Sequence, residues 1–329
     1  MSDPKIRRDI RPVGSFMKLM MKAPMSAGQI SQADQAYAAV ASGRWMSLKT
    51  KMRQEYIQRN DGSVLRICIV TERGHNPENA TGLLWMHGGG YALGLPEQCT
   101  VFADRLVPGT NTVMILPDYR KSYEAPYPAA LDDCYLTLLW TVLNAERLGI
   151  RSDQIFAGGE SAGGGLAAAL CMYARDLGEV SLAFQLLLYP MLDDRATESN
   201  TGNTSPVWDS AKNDAAWLMY KGKEGDTDSY CAPARETDYS NLPPAFSLVG
   251  DADPFRDETV AYMKHLYNED VPVSWHVFEE CYHAFDMLNP GTRTAKKAAR
   301  MEREAYLIAK SRFFKEQPVI ESDEEGKSQ

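Results

Sequence analysis

Nowhere does this chain of 329 residues run to the roughly 18 consecutive apolar residues of a membrane-spanning helix, so no span is expected. Its opening stretch, MSDPKIRRDIRPVGSFMKLMMKAPM, is basic but too broken by polar residues to hold the apolar core of a signal peptide. A cytoplasmic location is the expectation. No Cys-x-x-Cys pair occurs: Cys68, Cys99, Cys134, Cys171, Cys231 and Cys281 lie far apart, which points to buried free thiols and away from a zinc site or a redox dithiol. Positive charge is short as well. Against 44 Asp and Glu there are 35 Lys and Arg, a net charge of −9, whereas a nucleic-acid groove or an acidic membrane surface would demand a basic face. With no metal or cofactor called for and no internal repeat, the open class of partner is a small neutral ligand, with a homodimer left open.

What is present is a large supply of core: 44% hydrophobic residues arranged in alternating β and α patterns. Two β-prone runs flank Asn60-Asp61-Gly62, a hairpin signal. Strands are expected at 81–86, 111–117, 154–159, 182–190, 245–250 and 271–279, with helices at 127–149, 161–178 and 256–270. That alternation predicts an α/β fold with a mostly parallel sheet covered on both faces. Two segments break it. Residues 14 to about 45 read as helices, with Ser31 and Asp34 spaced like a capping box, and 191 to about 240 holds one plausible helix near SAKNDAAWLMYKG. Such long excursions suggest covers over a site. The acidic end, ESDEEGKSQ, has the composition of a disordered tail.

The chemistry starts at Gly159-Glu160-Ser161-Ala162-Gly163, a G-x-S-x-G pattern between an expected strand and an expected small-residue helix. In that setting the serine sits on a sharp elbow and is thrust out. Gly163 to Ala168 also satisfies G-x-G-x-x-A, but it begins inside the helix with no βαβ unit around it, so a dinucleotide site is not supported. A serine needs a base and an orienting acid. Of the five histidines, His283 lies just past the last expected strand, where a loop could reach the elbow; the acid is open between Asp251 and Asp253, because Asp257 and Glu258 fit the first turn of a helix. Upstream, His87-Gly88-Gly89-Gly90 follows the strand 81–86, where backbone N–H groups free of side chains could meet an oxyanion together with the Ala162 N–H.

From about Leu65 to Phe285 the chain resembles the hormone-sensitive-lipase-like esterases of the α/β-hydrolase superfamily, also grouped as bacterial family IV carboxylesterases. HGGGY (87–91), DYRKSYEAPYPAALDD (118–133), GESAGGG (159–165), LPPAFSLVGDADPFRDE (242–258) and YHAF (282–285) carry the resemblance in order. It implies Ser161 as nucleophile, Asp253 as acid and His283 as base, with Gly89, Gly90 and Ala162 donating to the oxyanion and His87, Gly88 and Glu160 in support. It also implies an α/β-hydrolase fold of eight strands (51–190 and 241–316) and a helical cap formed from 1–50 and 191–240, with 317–329 as the tail. The chain departs from the family at Tyr119-Arg120-Lys121-Ser122-Tyr123-Glu124: members often carry Tyr-Arg-x-x-Pro-Glu there, in a segment that supports the loop near the oxyanion arm. The expected function is a serine carboxylesterase acting on small, short-chain acyl esters. An arylformamidase-like amidase and a non-catalytic ligand receptor are the alternatives. Met17, Met20, Met21 and Met25 could line a flexible acyl pocket or pack as ordinary cover.

Overall fold

The structure, a computed structural model, describes residues 4–21, 26–222 and 227–318. Two helices come first, α1 (Arg11–Met20) and α2 (Ala27–Ala41). The expected hairpin is β1 (Thr50–Gln58) and β2 (Val64–Glu72), paired antiparallel. There follow β3 (Ala80–Met86), α3 (Thr100–Leu106), β4 (Thr112–Pro117), α4 (Ala129–Leu143), α5 (Ala145–Leu148), β5 (Ile150–Glu160) and α6 (Ala162–Leu177). The chain continues through β6 (Phe184–Leu188), α7 (Ser210–Lys221), β7 (Ala245–Gly250), α8 (Arg256–Asn268), β8 (Val273–Phe278), α9 (Phe285–Leu288) and α10 (Arg293–Arg312).

Among the described residues eight strands join one sheet in the order β1-β2-β4-β3-β5-β6-β7-β8. Only the β1–β2 and β2–β4 pairs are antiparallel. The alternation along β3 shows how the sheet builds two cores: Leu83 and Trp85 face one cluster with Phe102 and Leu106 of α3 and Tyr306 of α10, while Leu84 and Met86 face another with Leu138 of α4 and Leu166 and Leu170 of α6. Both faces of the sheet are therefore covered, as a parallel sheet requires. Crossing from β3 to β4 and back puts β5 beside β3, with Met86 level with Gly159. That register makes the glycine loop after β3 and the turn after β5 neighbours.

Three expectations need correction. The helix expected at 127–149 breaks between α4 and α5 at Asn144, whose side-chain amide donates to the Trp140 carbonyl at 2.8 Å and so competes with the backbone ladder. The capping box of α2 is Ser26 with Gln29, so Ser31 lies within the helix and Asp34 is buried for another purpose. Helix α10 was not anticipated, because it buries mainly small or polar residues, Thr294, Ala298, Glu302 and Tyr306, at a spacing of four. At the acidic end, the Gln317 side chain accepts the Ser181 N–H and donates to the Ser152 and Ser181 carbonyls; residues 319–329 lie outside the described residues. All six cysteines are buried and free. Among the described residues no helix is long and apolar enough to cross a membrane.

Candidate active site

The site is assembled at the carboxyl ends of parallel strands, where loops converge. Ser161 forms the single-residue turn between β5 and α6 with φ 59 and ψ −126, a conformation costly for a residue with a Cβ. The surroundings over-determine it. Its N–H donates to the Leu188 carbonyl at 2.9 Å, and its own carbonyl accepts from Gly165 and Met191. The small residues that follow let α6 press onto the strands: a Cβ on Gly163 would lie 2.0 Å from the Met86 carbonyl oxygen.

Asp253 sits in the turn between β7 and α8, and His283 in the loop between β8 and α9. His283 Nδ1 is 2.8 Å from Asp253 Oδ2, and Nε2 is 2.9 Å from Ser161 Oγ. A carboxylate can only accept, so Nδ1 carries the proton and Nε2 turns its lone pair to the hydroxyl. The other Asp253 oxygen accepts the Phe255 N–H at 3.0 Å. Ser161 is 6% exposed, His283 4% and Asp253 0%. Such a line can draw the hydroxyl proton onto the imidazole and leave Oγ nucleophilic. Asp251, the open alternative, instead lies against backbone of Ala252, Glu280 and Cys281, and burial raises its pKa. Asp257 and Glu258 stand in the first turn of α8 as expected, yet each has a specific partner: Asp257 accepts the Ser199 N–H, and buried Glu258 accepts that of Leu192.

The question posed by three consecutive glycines is one of backbone accounting. Gly88 N–H donates to Glu160 Oε1 at 2.8 Å, the Gly88 carbonyl accepts from Gln98 and from His87 Nδ1, and the Gly89 carbonyl accepts from Ala92 and Leu93. Every anchor holds the loop by other groups, so the N–H groups of Gly89, Gly90 and Tyr91 have no acceptor among the described residues. Gly89 adopts φ 128, and a Cβ there would lie 1.9 Å from the Leu93 carbonyl oxygen. Ala162 opens α6, so its N–H is one of the helix's unpaired donors. Free donors thus come from the glycine loop, whose Gly88 would carry a Cβ 3.1 Å from that of Ser161, and from the start of α6, and such donors are what stabilising an oxyanion requires.

His87 and Glu160 hold this loop from behind. His87 is buried, stacks on Tyr119 at 4.2 Å, and its carbonyl accepts the Tyr119 hydroxyl at 2.6 Å. Burial, with Lys121 nearby, pushes its pKa down to about 3, so it is a neutral brace. Glu160 takes the Trp85 Nε1–H at 2.6 Å on one oxygen and the Gly88 N–H on the other; burial pushes its pKa up to about 7. The segment that departs from the family is braced by hydrogen bonds. Lys121 Nζ donates to the Tyr119 carbonyl and to Asp118, while its N–H donates to Glu124.

Sequence reasoning missed the aromatic cover. Trp208 packs so close to Gly90 that a Cβ there would lie 2.6 Å from its ring, and its ring centroid is 6.2 Å from that of His283. Tyr220 of α7 stacks on Tyr91 at 3.8 Å. Trp208 and Tyr220 sit in a polar segment whose signal gives no partner, so only the fold reveals them. Of the four methionines, Met17 is half-buried, Met20 is 65% exposed, Met21 lines an open groove between α1 and residues 202–211, and Met25 lies outside the described residues.

The family described as alpha/beta hydrolase fold matches residues 83–287. Among relatives, an esterase LipI and a carboxylesterase NlhH of Mycobacterium tuberculosis are 32% and 34% identical over 62% and 60% of this chain. The matches span 65% and 63% of those two proteins, under two thirds of their length. A solved bacterial heroin esterase superposes with a TM-score of 0.83 at 29% identity, over 93% of this chain and 98% of that one. Since the match covers more than half of the sequence and carries HGGGY, GESAGGG and YHAF, the chain belongs to the α/β-hydrolase fold family, in the hormone-sensitive-lipase-like branch that its motifs resemble.

Proposed function

We propose that the chain is a serine carboxylesterase that hydrolyses small acyl esters through an acyl-enzyme. Ser161 Oγ attacks the ester carbonyl, His283 takes its proton and passes it to the leaving alcohol, and Asp253 holds the imidazole and stabilises its cation. The Gly89, Gly90 and Ala162 N–H groups receive the carbonyl oxygen as it becomes negative. Water, activated by the same histidine, then releases the acid. The chemistry calls for neither metal nor cofactor. The observation that carries the proposal is the hydrogen-bonded line from Asp253 through His283 to Ser161. The names of the relatives favour an ester over other acyl substrates. Residues 1–50 and 191–240 serve as cover over the acyl group, with Trp208 across the oxyanion loop favouring short chains.

The test is a series of aryl esters of increasing acyl length, with an aryl amide beside them. Short acyl esters are expected to turn over fastest, and faster hydrolysis of the amide would overturn the ester reading. The choice of acid has its own test. Asp253→Asn presents an amide where His283 needs an acceptor, so kcat is expected to fall by about 10⁴-fold. Asp251→Asn, whose side chain does not meet His283, is expected to leave kcat within about tenfold. The reverse ranking would reassign the acid.

A further inference from the structure

Helix α2 lies far along the sequence from any proposed reacting group, and of its fifteen residues only Ile30 and Asp34 are buried. One of the two is a carboxylate, 5% exposed, on a helix with little else to hold it in place. A buried carboxylate is costly unless it is fully hydrogen-bonded. Asp34 meets that demand across the fold: Oδ1 accepts the Gly94 N–H at 2.8 Å and Oδ2 accepts the Tyr123 hydroxyl at 3.0 Å. Gly94 closes the glycine loop back on itself. At φ 111 it sits so tightly against the start of that loop that a Cβ would lie 2.7 Å from both the Gly88 carbonyl oxygen and His87 Nδ1.

Tyr123 occupies the slot where the family often has proline, and Ser122 beside it donates its N–H to the Tyr91 carbonyl at 2.8 Å. One carboxylate therefore ties both ends of the loop's support: Gly94 directly, and Tyr91 through the 119–124 segment. A second carboxylate, Glu97, accepts the Gly43 N–H just past α2 at 2.6 Å and is paired with Arg66, so the helix end is pinned to the same region.

We infer that Asp34 is a positioning residue for the loop bearing the Gly89 and Gly90 N–H groups, and that its bond to Tyr123 braces the 119–124 segment on which that loop rests. The inference rests on the esterase reading above. It makes the amino-terminal helix part of the oxyanion apparatus as well as cover. Beyond the anchors from Glu160 and Gln98, the carboxylate holds the loop once directly, at Gly94, and once through Tyr123; loss of these two bonds lets the two donors drift without removing them.

The experiment measures kcat, KM and inhibition by a trifluoromethyl ketone, which forms a tetrahedral oxyanion on a serine, for wild type, Asp34→Ala, Asp34→Asn and Tyr123→Phe, with a short aryl ester as substrate. Misplaced donors act on the transition state, so Asp34→Ala is expected to lower kcat by roughly 10- to 100-fold and weaken the ketone in parallel, with KM within about twofold. Asp34→Asn keeps an acceptor and is expected to recover part of the loss. Tyr123→Phe removes a single bond and is expected to cost about threefold to tenfold in kcat. An Asp34→Ala protein that folds with wild-type kcat, or that loses activity with no weakening of the ketone, overturns the inference. If Asp34→Ala does not fold, Tyr123→Phe decides alone, and unchanged kcat there overturns it. Ser161→Ala separates the two readings: an inactive Ser161→Ala beside a fully active Asp34→Ala removes the inference and leaves the esterase standing.

Discussion

Ser161→Ala is expected to lower ester turnover by roughly 10⁶-fold while the protein stays folded. The loss is large because Oγ is the atom that forms the acyl bond, and Ser161 stands alone at the elbow tip with its hydroxyl against His283 Nε2. Folding should survive because the elbow is fixed by backbone: the Ser161 N–H to Leu188, and its carbonyl to Gly165 and Met191. Alanine keeps the Cβ and so inherits the positive φ without added strain. The measurement is steady-state hydrolysis of a short aryl ester alongside thermal unfolding. A phosphonate that reacts with activated serines should label the wild type at Ser161 and leave the variant untouched. Turnover within tenfold of wild type in the folded variant would remove Ser161 from the mechanism.

Much of this arrangement is legible in the sequence, and for local reasons. A strand followed by G-x-S-x-G and a helix of small residues encodes the elbow, since only side-chain-free positions let Gly163 lie against the Met86 carbonyl. The order of the expected strands also places His283 past β8 and two candidate aspartates past β7. Choosing between Asp251 and Asp253 is different, because it depends on which way a buried turn points. Proximity to Pro254 hints at the answer; only the 2.8 Å contact with Nδ1 states it. Asp34 shows the limit most clearly. Three residues after a serine, it has the local signature of a capping box, yet the helix begins earlier and the carboxylate is spent on Gly94 and Tyr123, 60 and 89 positions away. A long-range hydrogen bond leaves no periodicity in the sequence, and a local rule will claim its residue first.

His283→Gln is expected to cost roughly 10⁶-fold in kcat/KM and to take one of two protons out of the acid limb of the pH profile, leaving a slope of one in whatever activity remains. As the base, His283 must present an unprotonated Nε2 to Ser161, so rate falls as acid adds a proton there. The other histidines are placed to contribute nothing: His87 is buried and held neutral down to about pH 3, His75 bonds to Asn111, His265 stacks on Tyr239, and His276 packs on Phe278. A second proton belongs to Glu160, whose pKa burial raises to about 7. Below that pH one carboxylate oxygen becomes a hydroxyl and can no longer serve as a charged acceptor for both the Trp85 N–H and the Gly88 N–H that anchors the glycine loop. Both protonations lower the rate in the same direction. The wild-type plot of log kcat/KM against pH should therefore steepen in acid from a slope of one toward two. Glu160→Gln removes the second proton but sets an amide NH₂ against one of the two donors at every pH, so a rate lowered by about tenfold with a slope of one is expected. A wild-type slope that stays at one throughout would dismiss Glu160 from the limb. An undiminished limb in His283→Gln, with appreciable turnover, would dismiss His283 as the base.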